Sequence, residues 1–323
     1  MYDAGIVGCG VIGNRLAESF ADHERTTVRA GCDLDEEKLS EFADEYDCEA
    51  FTDYRELVRS DDVDIVYVGV PPKHHPEIVA AALDHGKHVL CEKPIAEDAA
   101  RGRKMVETAE ESEATTAINL PFRYTPGFVE MRERVAAGDI GAPRRVNLTF
   151  RFPQWPREWQ DVDWLTSREQ GGPLREVGTH FLFGVQELFG PVESVSANVT
   201  YAGPDRYEDS VAGHFSVDGI HGTIDLVTDH QQSEENSITV LGSDAELSLL
   251  DWYRLVENRG EDDETVLNDT RSQTTLTLVD EFVAELDGEG GDLVSFEEAN
   301  SVQRVLDALF ASDGATRRVH ESG

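Results

Sequence analysis

The chain has 323 residues, 39% of them hydrophobic, which at ~100–200 residues per domain is about two domains with sizeable cores. Its 65 acidic residues against 28 basic ones leave a formal charge of −37, which repels nucleic acid and anionic membranes and excludes both as partners. No run of ~18 apolar residues is present, which excludes a membrane-spanning helix.

The acids are spread through nearly every segment rather than gathered in a tail, and clear periodicity with ample aromatic and β-branched residues opposes a disordered acidic chain. A folded, halophilic protein is expected: at 1 M salt the Debye length is roughly 3 Å and the self-repulsion is screened. Lysine is correspondingly scarce, with only Lys38, Lys73, Lys87, Lys93 and Lys104 among the basic residues. The N-terminal MYDAGIVGCG carries no basic leader and passes directly into a strand pattern, so a cytoplasmic protein is expected. Cys9, Cys32, Cys48 and Cys91 form no C-x-x-C pair and read as free thiols of a reducing compartment; no metal site is expected.

In chain order, AGIVGCG is a strand followed by a helix over 12–22, TTVRAGCD a strand followed by a helix over 35–46, and VDIVYVGV a strand followed by a helix over 75–85. KHVLCEKP is a strand followed by a helix over 97–112, and TTAINL is a further strand. This alternation with continuous apolar strands predicts a doubly wound parallel sheet, an α/β Rossmann domain over residues 1–120. Beyond it the grammar changes. A helix over 126–137 precedes the strand in GAPRRVNLTFRF, and a helix over 172–189 carries Pro173 in its first turn. VESVSANVTY, DSVAGHFSV, HGTIDLVTD, NSITVLG and AELSLL alternate as strands, with turn signals at Asp218-Gly219 and at Gly242-Ser243-Asp244. Helices over 278–287 and 296–311 close the chain. Residues 121–323 are therefore expected to form an α+β domain with a large, mainly antiparallel open sheet.

Gly8, Gly10 and Gly13 form G-x-G-x-x-G after the first strand and at the opening of the first helix. Gly8 would allow the tight turn, Gly10 the approach of backbone to a pyrophosphate, and Gly13 helix–strand packing; Val11 and Ile12 complete the loop. The pyrophosphate would sit on the helix N-terminus. Asp33 ends the second strand 20 residues beyond Gly13, the spacing of a carboxylate on the adenosine ribose. NAD is the expected cofactor, with NADP as the alternative; Asp35 reads as a helix cap. Ligands in open α/β sheets lie at the carboxyl ends of the strands, so Pro71, Lys73, His74 and His75 border the expected nicotinamide crevice, unless His75 merely starts a helix. The fourth strand delivers Glu92, Lys93 and Pro94 to the same edge. Lysine there is a compact charge on a slim stem, where arginine would be a broad fork. Further on, Glu176 and His180 stand four apart, so on a helix the carboxylate orients the imidazole as a general base, or the two are an ordinary surface pair.

GCGVIG, PPKHHPEI, GKHVLCEKP, NLPFRYTP, GDIGAPRRV, GGPLREVGTH and the tail GATRRV occur in an order that resembles the Gfo/Idh/MocA oxidoreductases over essentially the whole chain. The resemblance implies NAD(P)-linked chemistry at a sugar or polyol carbon. It implies that Lys93 contacts nicotinamide and substrate hydroxyl, with its peptide to Pro94 often cis. It implies that His180 is the catalytic histidine and that Asn119 and Arg123 line the cofactor and substrate crevice. Two departures stand out: Glu176 where an aspartate is usual, and Phe183 where an acid is common. Trp155, Trp159 and Trp164 are candidates to stack on a sugar face or to fill a core, Trp164 being the one assigned to substrate.

The resulting expectation is a sugar or polyol dehydrogenase with Lys93, Glu176 and His180 as catalytic residues. Glu92 and Asn119 join the glycine loop, Asp33, Pro71 and His75 at the cofactor; Arg123, Trp164, Glu176 and His180 join Lys93 at the substrate. Its alternatives are a reductase of a keto sugar or dihydrodiol-type substrate and a non-catalytic dinucleotide-binding regulator. A partly apolar outer face on the second sheet is expected to support a homodimer or homotetramer.

Overall fold

The computed structural model describes residues 1–160, 162–260 and 264–319. Contacts divide the chain into two units: Met1–Pro121 with Gln273–Asn300, and Phe122–Ser272 with Ser301–Gly323. Among the described residues no helix is long and apolar enough to cross a membrane.

The first unit is wound on a six-stranded sheet. In chain order it contains β1 (Tyr2–Val7), α1 (Val11–Asp22), β2 (Thr26–Cys32), α2 (Glu36–Tyr46), β3 (Glu49–Phe51) and α3 (Tyr54–Leu57). These are followed by β4 (Ile65–Val68), α4 (His75–Asp84), β5 (His88–Glu92), α5 (Ala99–Glu110) and β6 (Thr116–Asn119). All pairings are parallel in the order β3-β2-β1-β4-β5-β6, so the strand order reverses between β1 and β4. Every residue of β4 is buried, as a strand covered on both faces requires. Asp35 caps α2, accepting the Glu37 and Lys38 amides at 3.1 and 3.3 Å, and the bonds hold its carboxyl below the usual range. β3 and α3 escaped the sequence reading because three and four residues carry no measurable period.

The expected boundary at residue 120 assigned everything after it to the second domain. Residues 273–300 pack instead with the first unit, because α8 (Thr274–Leu286) buries Leu278, Val279, Phe282 and Val283 there. Ser19 Oγ meets Thr275 Oγ1 at 3.0 Å, and the Ile118 amide donates to the Val294 carbonyl at 2.9 Å. Sequence order cannot show such a return of the chain.

The second unit opens with α6 (Pro126–Ala137) and β7 (Pro143–Phe152). A π-helical turn (Leu174–Gly178) then runs into α7 (Thr179–Phe189). The strands that follow are β8 (Val192–Tyr201), β9 (Glu208–Val217), β10 (Ile220–Thr228), β11 (Glu235–Gly242), β12 (Glu246–Leu250), β13 (Arg254–Asn258) and β14 (Thr265–Asn268). Helix α9 (Phe296–Ala311) and β15 (Arg317–Arg318) end the described chain. The sheet has nine strands in the order β14-β13-β12-β11-β7-β10-β9-β8-β15, with β7 and β10 parallel and every other pair antiparallel. Asp218 and Gly219 both take positive φ, 47° and 72°, the two-residue turn that matches strand twist between β9 and β10. Val146, Leu148, Phe150 and Phe152 alternate into the core from β7. The opposite face was expected to be partly apolar. It is mainly polar: Thr223 bonds Asn147 at 2.8 Å, Thr239 and Ser248 meet at 2.8 Å, Ser194 and Ser216 at 2.9 Å, and Arg151 pairs with Asp225.

Candidate functional site

In the first unit the loop after β1 is built around its three glycines. Gly8 has φ +100°, and a Cβ there would stand 2.4 Å from the Gly69 carbonyl oxygen. A Cβ at Gly13 would stand 1.9 Å from the Gly8 carbonyl oxygen, so α1 can start this close to β1 only without a side chain. A Cβ at Gly10 meets nothing within 4 Å. The space above the first turn of α1 is therefore open, its amides lack intrahelical partners as at any helix start, and these residues fit a pyrophosphate. Val11 is 63% exposed beside this space, with Ile12 half-buried. Asn14, absent from the sequence reading, clips the loop by donating Nδ2 to the Cys9 and Gly10 carbonyls at 2.9 and 3.1 Å. Asp33 Oδ2 accepts the Cys9 amide at 2.8 Å and Oδ1 the Asp35 amide at 2.9 Å. The carboxylate thus orders the glycine loop, and next to it Leu34 is 90% exposed.

At the carboxyl ends of β4, β5 and β6 lies a buried polar cluster. Glu92 Oε1 accepts the Tyr67 hydroxyl at 2.6 Å and the Asn119 amide; Oε2 accepts the Lys93 backbone amide at 3.1 Å. Burial and the neighbouring carboxylate push the Tyr67 phenol well above its ordinary value, so it remains a donor. Glu92 therefore fixes the backbone at Lys93, whose peptide to Pro94 is cis. Tyr67 was invisible in the sequence as anything but an apolar strand position.

Pro71 is half-buried at the start of a short 3-10 turn, Pro72–His74. His75 corrects the expectation of a residue at the crevice edge. It is fully buried, with Nε2 2.7 Å from the Val70 carbonyl oxygen and Nδ1 3.1 Å from that of Ile95. Both ring nitrogens face backbone, so the ring ties the segments after β4 and β5 together instead of reaching a ligand. Burial lowers its pKa to about 4.

In the second unit the GGP run is a steric device. A Cβ at Gly171 would stand 2.3 Å from the Leu165 carbonyl oxygen; Gly172 has φ +99°, and its Cβ would stand 2.2 Å from Glu208 Oε2. The turn that follows is π-helical rather than α-helical, which changes the expected register: Glu176 lies inside it and His180 just beyond. His180 is buried to 8% exposure, edge-on to Trp252 at 5.1 Å and 83°, with Phe122 at 6.4 Å. Glu176 Oε1 accepts Gln160 Nε2 at 3.3 Å. Trp252 sits at φ 75° after Asp251 at φ 47°, a strained corner following β12. No sequence signal set it apart from the three tryptophans singled out earlier.

Those three divide. Trp155 is core, donating Nε1 to the Leu165 carbonyl at 3.1 Å; Trp164 is half-buried; Trp159 is 53% exposed. Arg123 is 6% exposed, its guanidinium 2.9 Å from Glu187 Oε1 and 5.3 Å from the Phe183 ring centroid. Phe183 is 1% exposed, so it is a packing residue under that guanidinium.

Two profiles of one family match this chain. The oxidoreductase family's NAD-binding Rossmann fold matches residues 2–120, and the family's C-terminal domain matches residues 128–248. The chain belongs to the Gfo/Idh/MocA oxidoreductase family. Among curated relatives, a dTDP-3,4-didehydro-2,6-dideoxy-alpha-D-glucose 3-reductase of Saccharopolyspora spinosa is 30% identical over 58% of this chain and 58% of its own length. A scyllo-inositol 2-dehydrogenase (NADP(+)) of Bacillus subtilis is 29% identical over 60% of each chain. A D-xylose 1-dehydrogenase (NADP(+)) of Hypocrea jecorina is 29% identical over 70% of this chain and 64% of its own length. The chain thus spans about three fifths of these relatives. An oxidoreductase of Thermotoga maritima superimposes with a TM-score of 0.88 at 26% identity, covering 98% of both chains. Levoglucosan dehydrogenase, solved with NADH and L-sorbose, shares the fold at a TM-score of 0.88, 17% identity and 99% coverage of both. In this Gfo/Idh/MocA protein the N-terminal unit is therefore an NAD-binding Rossmann domain.

Proposed function

We propose that this protein is an NAD(P)-dependent oxidoreductase acting at a hydroxyl-bearing carbon of a sugar or polyol. The carrying observation is Lys93: the Glu92 carboxylate fixes its backbone at the carboxyl end of β5, in the unit that holds the dinucleotide loop. A bound nicotinamide supplies the hydride acceptor or donor. In this reading the Lys93 ammonium and His180 hydrogen-bond the reacting hydroxyl, and His180, oriented with Glu176, takes its proton. Tyr67 and Asn119 hold Glu92, while Trp252 and Phe122 exclude water from His180. Asp33 favours NAD, since a carboxylate at the adenosine ribose repels a 2′-phosphate. Trp164 and Arg123 are assigned to substrate, Arg123 through its fixed guanidinium.

The test is a spectrophotometric screen of NAD and NADP against aldoses, polyols and inositols at molar salt. Turnover lost in Lys93→Ala with cofactor affinity kept supports the assignment; full activity in that variant removes it. The reverse reaction, reduction of a keto sugar, is a second reading favoured by the keto-sugar reductase among the relatives. Reduced cofactor with keto sugars in the same screen separates the two. A regulator that binds dinucleotide without chemistry is disfavoured by the joint presence of Lys93 and His180. The reading also includes adaptation to high salt, a reducing cytoplasm in which Cys9, Cys32, Cys48 and Cys91 stay free, and a homodimer or homotetramer formed through the polar face of the nine-stranded sheet.

A further inference from the structure

Glu208 opens β9 and is completely buried. Its Oε1 accepts the amide of Leu174, the first residue of the π-helical turn, at 2.7 Å. Its Oε2 has no hydrogen-bond partner among the described residues and lies where a Cβ of Gly172 would be, 2.2 Å away. A carboxyl group is thus enclosed at the start of the segment that carries Glu176 and His180. Glycine at 172 is required twice, by its φ of +99° and by this carboxyl. An uncapped amide at that point would be a buried donor without a partner.

We propose that Glu208 is a positioning residue for His180: it holds the Leu174 amide and seats Gly172, and so sets the π-helical turn that aims Glu176 and His180. The proposal rests on the dehydrogenase reading above and deepens it. Arg175, on the same π turn, keeps its guanidinium 4.3 Å over the Phe310 ring and donates to the Arg168 and Gly171 carbonyls at 3.0 and 3.2 Å. Tyr201 is the cross-strand partner on β8, and Asp307 approaches Arg175 from α9. Burial raises the Glu208 carboxyl to about 7, against the charge of Arg175 and the Leu174 bond. The carboxyl that holds the turn would thus change charge near neutrality.

The experiment compares the full-length protein with Glu208→Gln and Glu208→Ala. It reads kcat and KM for the best polyol, NAD affinity by fluorescence, and the pH titration of the His180 Cε1–H resonance, identified by its loss in His180→Ala. Glu208→Ala is expected to lower kcat tenfold or more with NAD affinity unchanged, and Glu208→Gln, which keeps an acceptor for Leu174, to recover most of it. The His180 resonance is expected to show an inflection near pH 7 that Glu208→Gln lacks. Unchanged kcat in Glu208→Ala, or an inflection retained in Glu208→Gln, overturns the proposal; if Glu208→Ala does not fold, Glu208→Gln decides it alone. A protein inactive on every polyol whose His180 inflection still disappears in Glu208→Gln keeps the positioning role and removes the dehydrogenase reading.

Discussion

The Tyr67 hydroxyl donates to Glu92 Oε1 at 2.6 Å, and the other oxygen of that carboxylate accepts the backbone amide of Lys93. A fully buried phenol on β4 thereby braces the backbone that presents the lysine from β5. Tyr67→Phe keeps the ring and removes the donor, leaving Glu92 short of one partner. The expected cost is about 1–3 kcal/mol of stability, read from denaturant unfolding, with a several-fold fall in kcat and NAD binding retained.

Replacing Lys93 tests the proposed chemistry directly. Both Lys93→Ala and Lys93→Arg are expected to lose about 10²–10⁴-fold in kcat, since the arginine fork cannot take the place of a compact ammonium. Steady-state kinetics at saturating NAD provide the measurement, and an arginine variant as active as the native chain would contradict the role.

Asp33 holds the Cys9 amide of the glycine loop besides its proposed contact with ribose. Asp33→Ala should weaken NAD by about tenfold or more while NADP loses much less, because removal of the carboxylate also removes its repulsion of a 2′-phosphate. Titrating both cofactors by fluorescence reads this narrowing of preference.

Stability should carry the mark of Glu208. Its native carboxyl, at about 7, holds a proton more tightly than the unfolded chain does near 4.5. The stability this adds is complete below pH 4.5 and is lost as pH rises through about 7, on the order of 3 kcal/mol. Unfolding of Glu208→Gln should lack that decline, so its stability relative to the native chain improves between pH 5 and pH 8.

With a formal charge of −37, the fold should depend on screening. Lowering salt from about 1 M to about 0.1 M lengthens the Debye distance from roughly 3 to roughly 10 Å. Far-UV circular dichroism is expected to show a large fall in Tm over that change, and a constant Tm would remove the salt-adaptation reading.

What was legible in the sequence is what local chemistry dictates. The glycine spacing and the continuous apolar strands could be read because a tight βα turn and a doubly covered parallel sheet admit few other residues. The alternating strands after residue 190 were legible for the same reason, since one face of each is wet. Glu92 and Lys93 stood out because charge interrupts an apolar run.

Tertiary structure alone decided which polar residues are buried together. His75 looked like a ligand-facing residue until its two nitrogens were found on the carbonyls of Val70 and Ile95, in the segments after β4 and β5. Tyr67 stood only as a position in an apolar strand, and neither Trp252 nor Glu208, one of 65 acidic residues, carried any signal of its own. Their meaning lies in partners distant in sequence, Glu92, His180 and Leu174, and no period or motif encodes such a pairing. The return of residues 273–300 to the first unit has the same origin: α8 shows its apolar stripe in the sequence, but only packing chooses the surface that covers it.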